Sequence, residues 1–167
     1  MRAIEWSRFA RFGLGLYPGV SAVDANPKAK ERILIVDDEP TLVFFLRRDL
    51  SERGLDCEVE GVGSGEDALA RLAFTQYSVL ITDLRMPGIS GLTLVAAARS
   101  LQPAIGIVLM TAFGSHEVEA EAEQLMVDGY LTKPFQMERL HSLVEKILRT
   151  RRHKTIENRT GAKRAAA

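Results

Sequence analysis

From Glu31 to Leu148, short β-rich runs alternate with longer stretches whose apolar positions recur at helical spacing, and this alternation constrains the fold most. The strand candidates are residues 32–36, 56–61, 78–82, 105–110 and 129–132. Between them, apolar positions fall at 42, 46 and 50, at 65, 68, 69 and 72, at 91, 94, 95 and 98, and at 140, 143, 144 and 147. Each set marks a helix with one buried stripe. Repeats of this size imply parallel strands joined by helical crossovers, with helices covering both faces of the sheet. Because such crossovers are right-handed, the expected class is α/β with a doubly wound, five-stranded parallel sheet.

Composition narrows the function classes. A chain of 167 residues suits one domain with a real core plus tails. No apolar run approaches the roughly 18 residues that suggest a membrane span. Cys57 is the single cysteine, which excludes an internal disulfide or a multi-cysteine metal site and suits a reducing cytoplasm. His116, His141 and His153 are scattered, which argues against zinc. The net charge of zero conceals a split. Residues 1–30 carry five Lys/Arg against two Asp/Glu, residues 31–148 ten against nineteen, and residues 149–167 seven against one. An acidic domain therefore lies between two basic flanks.

Residues 1–30 fit no repeat and are expected to be a flexible or weakly amphipathic extension. Val20-Ser21-Ala22 resembles a cleavage site, but Gly13, Gly15 and Pro18 break the apolar stretch a secretory signal needs. Residues 150–167 are expected to be a basic, disordered tail, with nucleic-acid contact as its sharper reading. Glu117 to Glu123 alternates polar and apolar like a strand. Its Glu and Ala are strong helix formers, so a helix is expected, weakened by glutamates at spacing four.

The chemistry sits at strand ends. Asp37 and Asp38 follow the first strand run, Asp83 the third, Thr111 the fourth and Lys133 the fifth. Open parallel sheets bind ligands beyond the carboxyl ends of their strands. Two unit charges about 4 Å apart interact by roughly 4 kcal/mol at a near-surface dielectric, so gathered carboxylates call for a cation. Each residue alone has a plainer reading: Asp38 and Asp83 as turn or helix caps, Lys133 as a surface lysine before a helix-starting Pro134. An aspartate in this position can also act as a nucleophile that accepts a phosphoryl group.

Ile35-Val-Asp-Asp-Glu-Pro40, Thr82-Asp-Leu-Arg-Met-Pro-Gly88, Leu109-Met-Thr-Ala112 and Tyr130-Leu-Thr-Lys-Pro-Phe135 together resemble the receiver domain of two-component response regulators, over residues 31–149. The resemblance implies a flavodoxin-like (βα)5 fold with strand order 2-1-3-4-5. It implies that Asp83 is the phosphoacceptor, and that Mg²⁺ is bound by Asp38, Asp83 and the backbone carbonyl of Arg85, with Asp37 acting through water. Lys133 would pair with Asp83 and then with a phosphoryl oxygen. Thr111 and Tyr130 would form the switch, and the Lys133-Pro134 bond would be cis. Arg85 and Phe113, two residues beyond Asp83 and Thr111, are both large and are expected to shield the phosphoryl group from water.

The expected function is a stand-alone receiver, phosphorylated by a histidine kinase or phosphotransfer protein and signalling in the cytoplasm to an effector protein, with phosphorylation-dependent dimerisation as a further expectation. It is not expected to be an enzyme beyond handling its own phosphoryl group. The competing classes are a receiver whose tail contacts nucleic acid, and an aspartyl-phosphate phosphatase. The second has against it the adjacent Asp37-Asp38 pair and an acceptor after the third strand. Gly61-Val-Gly-Ser-Gly65 lacks both the full dinucleotide fingerprint and a P-loop lysine.

Overall fold

The alternation along each strand decides the architecture. In the computed structural model, which describes residues 30–112, 120 and 122–165 with side chains through 153, Ile33 and Ile35 face one side of the sheet while Leu34 and Val36 face the other. The strands are β1 (Glu31–Val36), β2 (Cys57–Val62), β3 (Val79–Asp83), β4 (Gly106–Thr111) and β5 (Gly129–Thr132). They form one parallel sheet in the order β2-β1-β3-β4-β5. This is the order the resemblance implied, and each strand starts and ends within one residue of its sequence candidate. β1, β3 and β4 lie in the middle, and their hydrophobic runs are buried on both faces.

Helices α1 (Pro40–Glu52), α2 (Gly65–Phe74) and α3 (Gly91–Leu101) and a C-terminal helix (Met137–Ala165) complete three layers. Ala68 and Leu72 of α2 pack with Leu94, Val95 and Ala98 of α3 on the Leu34, Leu80 and Leu109 side. Leu46 and Leu50 of α1 pack with Leu140, Val144 and Ile147 on the Ile33, Ile81 and Val108 side. Start signals are local. Pro40 opens α1, and the Ser64 and Ser90 hydroxyls accept hydrogen bonds from the Asp67 and Thr93 amides at α2 and α3.

The expected helix over 113–126 falls mostly outside the described residues, as do Phe113, Glu117, Glu119 and Glu121; Ala120 and residues 122–124 are helical. The basic segment after Arg149 is helical to Ala165 rather than the disordered tail its composition suggested. Its Lys, Arg, Glu and Ala residues are good helix formers, and it continues a helix already nucleated on the sheet.

The start of α3 approaches the end of β3 so closely that only glycine fits. A Cβ on Gly91 would lie 2.1 Å from the Asp83 carbonyl oxygen and 2.9 Å from the Leu84 Cα. Both are backbone atoms without rotameric freedom. Gly91→Ala is therefore expected to lower unfolding stability by about 2 kcal/mol, read from the urea midpoint. An unchanged midpoint would contradict this close approach.

Candidate functional site

The sheet's topology brings the carboxyl ends of β1 and β3 side by side, and the chain after β5 reaches the same edge. Asp37 follows β1, Asp83 ends β3, Thr111 ends β4, and Lys133 follows β5. Lys133 donates from Nζ to Asp37 Oδ2 at 2.7 Å and to Asp83 Oδ1 at 2.5 Å. One ammonium thus bridges two buried carboxylates, their side chains only 1% and 8% exposed.

The remaining carboxylate oxygens are held by backbone. The Glu39 amide donates to Asp37 Oδ1 at 3.0 Å, and the Arg85 amide to Asp83 Oδ2 at 2.6 Å. Hydrogen bonds to both oxygens fix each carboxylate plane. The Thr111 carbonyl accepts from the Lys133 amide at 2.7 Å, tying the lysine loop to β4, and the Lys133-Pro134 bond is cis. Partial burial alone would lower the Lys133 pKa. The hydrogen bonds and attraction from Asp37 and Asp83 outweigh it and hold the ammonium above the ordinary lysine value.

The other sequence candidates occupy different surroundings. Asp38 is exposed, because consecutive side chains at a strand end point to opposite sides and Asp37 takes the inward one. Arg85 is exposed on the loop after Asp83. Thr111 is buried at the end of β4, and Tyr130, beside Leu109 in β5, is half-buried against the α2–α3 side of the core. Sequence reasoning paired Lys133 with Asp83 but missed its second bond to Asp37. It also missed the two backbone amides. Only the adjacency of β1 and β3 signals the shared lysine.

The residues can be tested against Mg²⁺ on their own chemistry. All candidate donors are oxygens, as a hard divalent cation prefers. Asp37 and Asp83 already share a cation, so their spacing suits a common positive charge. Among the described residues, however, no three His, Cys, Asp or Glu side chains form a group that could hold a metal, and Asp38 is exposed. The fit to the ion is one of donor type: Asp37 and Asp83 offer buried carboxylate oxygens beside a shared positive charge, and Asp38 an exposed one.

A doubly wound parallel sheet carrying a lysine-bridged aspartate pair at its carboxyl edge defines an α/β domain with its polar cluster at the strand ends. Residues 33–145 match the response regulator receiver domain, and the chain belongs to that family. It is 33% identical over 116 residues to the DNA-binding transcriptional regulator NtrC of Salmonella typhimurium, covering 70% of this chain and 24% of that protein. It is 34% identical over 118 residues to the two-component response regulator PhoP of Pseudomonas aeruginosa, covering 71% and 52%. The chain thus spans about a quarter to half the length of these relatives.

Among solved structures, the chemotaxis protein CheY4 of Vibrio cholerae superposes with a TM-score of 0.66 at 30% identity, covering 71% of this chain and 99% of that one. A CheY-like receiver domain protein from Methanospirillum hungatei gives 0.71 at 24% identity, covering 75% and 99%, and speaks to the fold alone. Receiver domains generally bind Mg²⁺ at their acidic pocket. No helix among the described residues is long and apolar enough to cross a membrane.

Proposed function

We propose that this receiver takes a phosphoryl group on Asp83 from a phosphohistidine of a kinase or phosphotransfer protein, and signals through a phosphorylation-dependent protein contact. The observation that carries the reading is the Lys133 ammonium bridging Asp37 and Asp83 at the carboxyl edge of the sheet. An Asp83 carboxylate oxygen attacks phosphorus, the donor's nitrogen–phosphorus bond breaks, and the donor leaves with the electron pair as an acyl phosphate forms on Asp83. The Arg85 amide holds the carboxylate in line for attack. Lys133 then shifts its hydrogen bond from the Asp83 carboxylate to a phosphoryl oxygen. Asp38, Asp83 and the Arg85 carbonyl, with Asp37 through water, would hold Mg²⁺, which would add positive charge beside the phosphoryl oxygens.

The new group adds roughly two negative charges and fresh acceptors at an edge where Thr111 and Tyr130 lie on neighbouring strands. A Thr111 hydroxyl that donates to a phosphoryl oxygen, with Tyr130 turning inward behind it, biases a pre-existing equilibrium between two surface arrangements. The phosphorylated surface is then read by an effector protein or by a second copy of the chain, in the cytoplasm that the lone Cys57 suits. The chemistry is confined to the domain's own phosphoryl group, without turnover of an external substrate. Incubation with Mg²⁺ and acetyl phosphate is expected to add the mass of one phosphoryl group per chain. An unchanged mass sinks the reading.

The helical, basic segment beginning at Arg149 favours a second reading, contact with nucleic acid through phosphates. Neutralising Z phosphates gives log affinity a slope of about −0.9Z against log salt on duplex DNA. A DNA affinity that is steep in salt and disappears on truncation after Leu148 would support it; an affinity indifferent to either rules it out.

A further inference from the structure

Helix α1 turns one side to the core and leaves two aromatic rings outside it. Leu46 and Leu50 are buried, and Val43 meets Gly61 of β2 so closely that a Cβ there would lie 2.3 Å from its Cγ1. Phe44 and Phe45 are instead 53% and 58% exposed, edge to face with ring centroids 5.7 Å apart. Phe74 is more exposed still, at 89%, but has no second ring beside it among the described residues. Single exposed apolar side chains are ordinary, whereas adjoining ones form a patch that a contact can bury.

The chain itself supplies a matching surface. Trp6, Phe9 and Phe12 recur every three residues, and Arg2 lies four before Trp6, so a helix would carry all four on one side. The tether of this N-terminal arm also starts in the right place. Glu31 opens β1 opposite Cys57 of β2, and Lys30 lies 3.8 Å from Asp56, in the turn that follows α1. The arm therefore joins the domain at the foot of α1. From Glu52 back to Phe44 the helix rises only about 12 Å, whereas residues 13–29 can span about 55 Å when extended. Charge agrees. Residues 1–30 carry five Lys/Arg against two Asp/Glu, and Asp38 and Glu39 are exposed just before α1. Arg47, exposed three residues beyond Phe44, is a cation on which an added ring can stack.

We propose that residues 2–12 dock as a helix on the outer face of α1, with Trp6 and Phe9 packed on Phe44 and Phe45. The arm joins at the foot of α1, so its earliest residues lie towards the opposite end, where Arg2 meets Asp38 and Glu39. Docked there, the arm covers the surface beside the carboxylate edge, and a macromolecule approaching Asp83 along α1 must displace it.

Trp6 is the chain's only tryptophan, so its fluorescence reads the contact directly. In the full chain its emission is expected to lie to the blue of the urea-unfolded protein, and acrylamide to quench it several-fold less. Phe44→Ala/Phe45→Ala should return Trp6 to the quenching of the unfolded chain, while Phe74→Ala should leave it protected. Phe9→Ser, made outside the domain, should expose Trp6 as well. Should circular dichroism show the double variant unfolded, Phe9→Ser decides. Trp6 as quenchable in the full chain as in urea, protection that survives either set of substitutions, or exposure caused instead by Phe74→Ala overturns the proposal. Docking within one chain is held by the tether at a high effective concentration and should not change on dilution. Protection that fades on dilution, together with a dimeric mass, places the arm on a second copy and overturns it too.

Discussion

Asp83→Asn is expected to abolish phosphoryl incorporation from acetyl phosphate, leaving the chain at its unmodified mass under conditions that label the wild type fully. The substitution keeps the side chain's shape and an oxygen able to accept from the Arg85 amide, now 2.6 Å from the carboxylate. What it removes is the anionic nucleophile, because a neutral amide oxygen attacks phosphorus far more weakly. Asp38→Asn separates this loss from a general loss of charge. With Asp83 intact and a rim carboxylate missing, labelling is expected to survive but slow by about a hundredfold, the scale of removing one electrostatic contributor to a transition state. Labelling of Asp83→Asn at the wild-type rate would place the acceptor elsewhere.

The strand ends are where the sequence was most legible, and for a physical reason. Buried parallel strands need unbroken apolar runs, so a charged residue such as Asp37 or Lys133 after such a run marks the end of a strand. The period of two along Ile33, Leu34, Ile35 and Val36 likewise predicts both faces of the core. Legibility fails where distant side chains choose partners. Nothing local distinguishes Asp37, which turns inward to Lys133, from Asp38, which turns to solvent. The Arg99–Asp128 pair joins residues 29 positions apart and leaves no periodic trace. The basic C-terminal segment misled for another reason: its charge argued for solvation, while its helix-forming residues extended a helix docked on the sheet.

Removing the bridge should cost more stability than any surface ion pair. Lys133→Ala leaves Asp37 and Asp83 facing each other without their common cation, each with one oxygen still held by backbone. Breaking a fully buried pair costs about 3–5 kcal/mol. Lys133 is 22% exposed, so water screens part of the effect and about 2–3 kcal/mol is expected near neutral pH. The sign of the alkaline dependence follows from the raised Lys133 pKa. The lysine's contribution is fully present below the unfolded-chain value of about 10.4 and is lost as pH rises through the higher folded value. The gap between wild-type and Lys133→Ala urea midpoints should therefore stay level from pH 7 to about 10 and narrow above it. Mg²⁺ should raise the variant's midpoint more than the wild type's, because no ammonium competes for the two carboxylates. Asp83→Asn in the Lys133→Ala background should recover stability by removing one of the two like charges. If neither Mg²⁺ nor the second substitution recovers anything, the lysine's role is packing rather than charge, and the bridged pair loses its standing as the centre of the site.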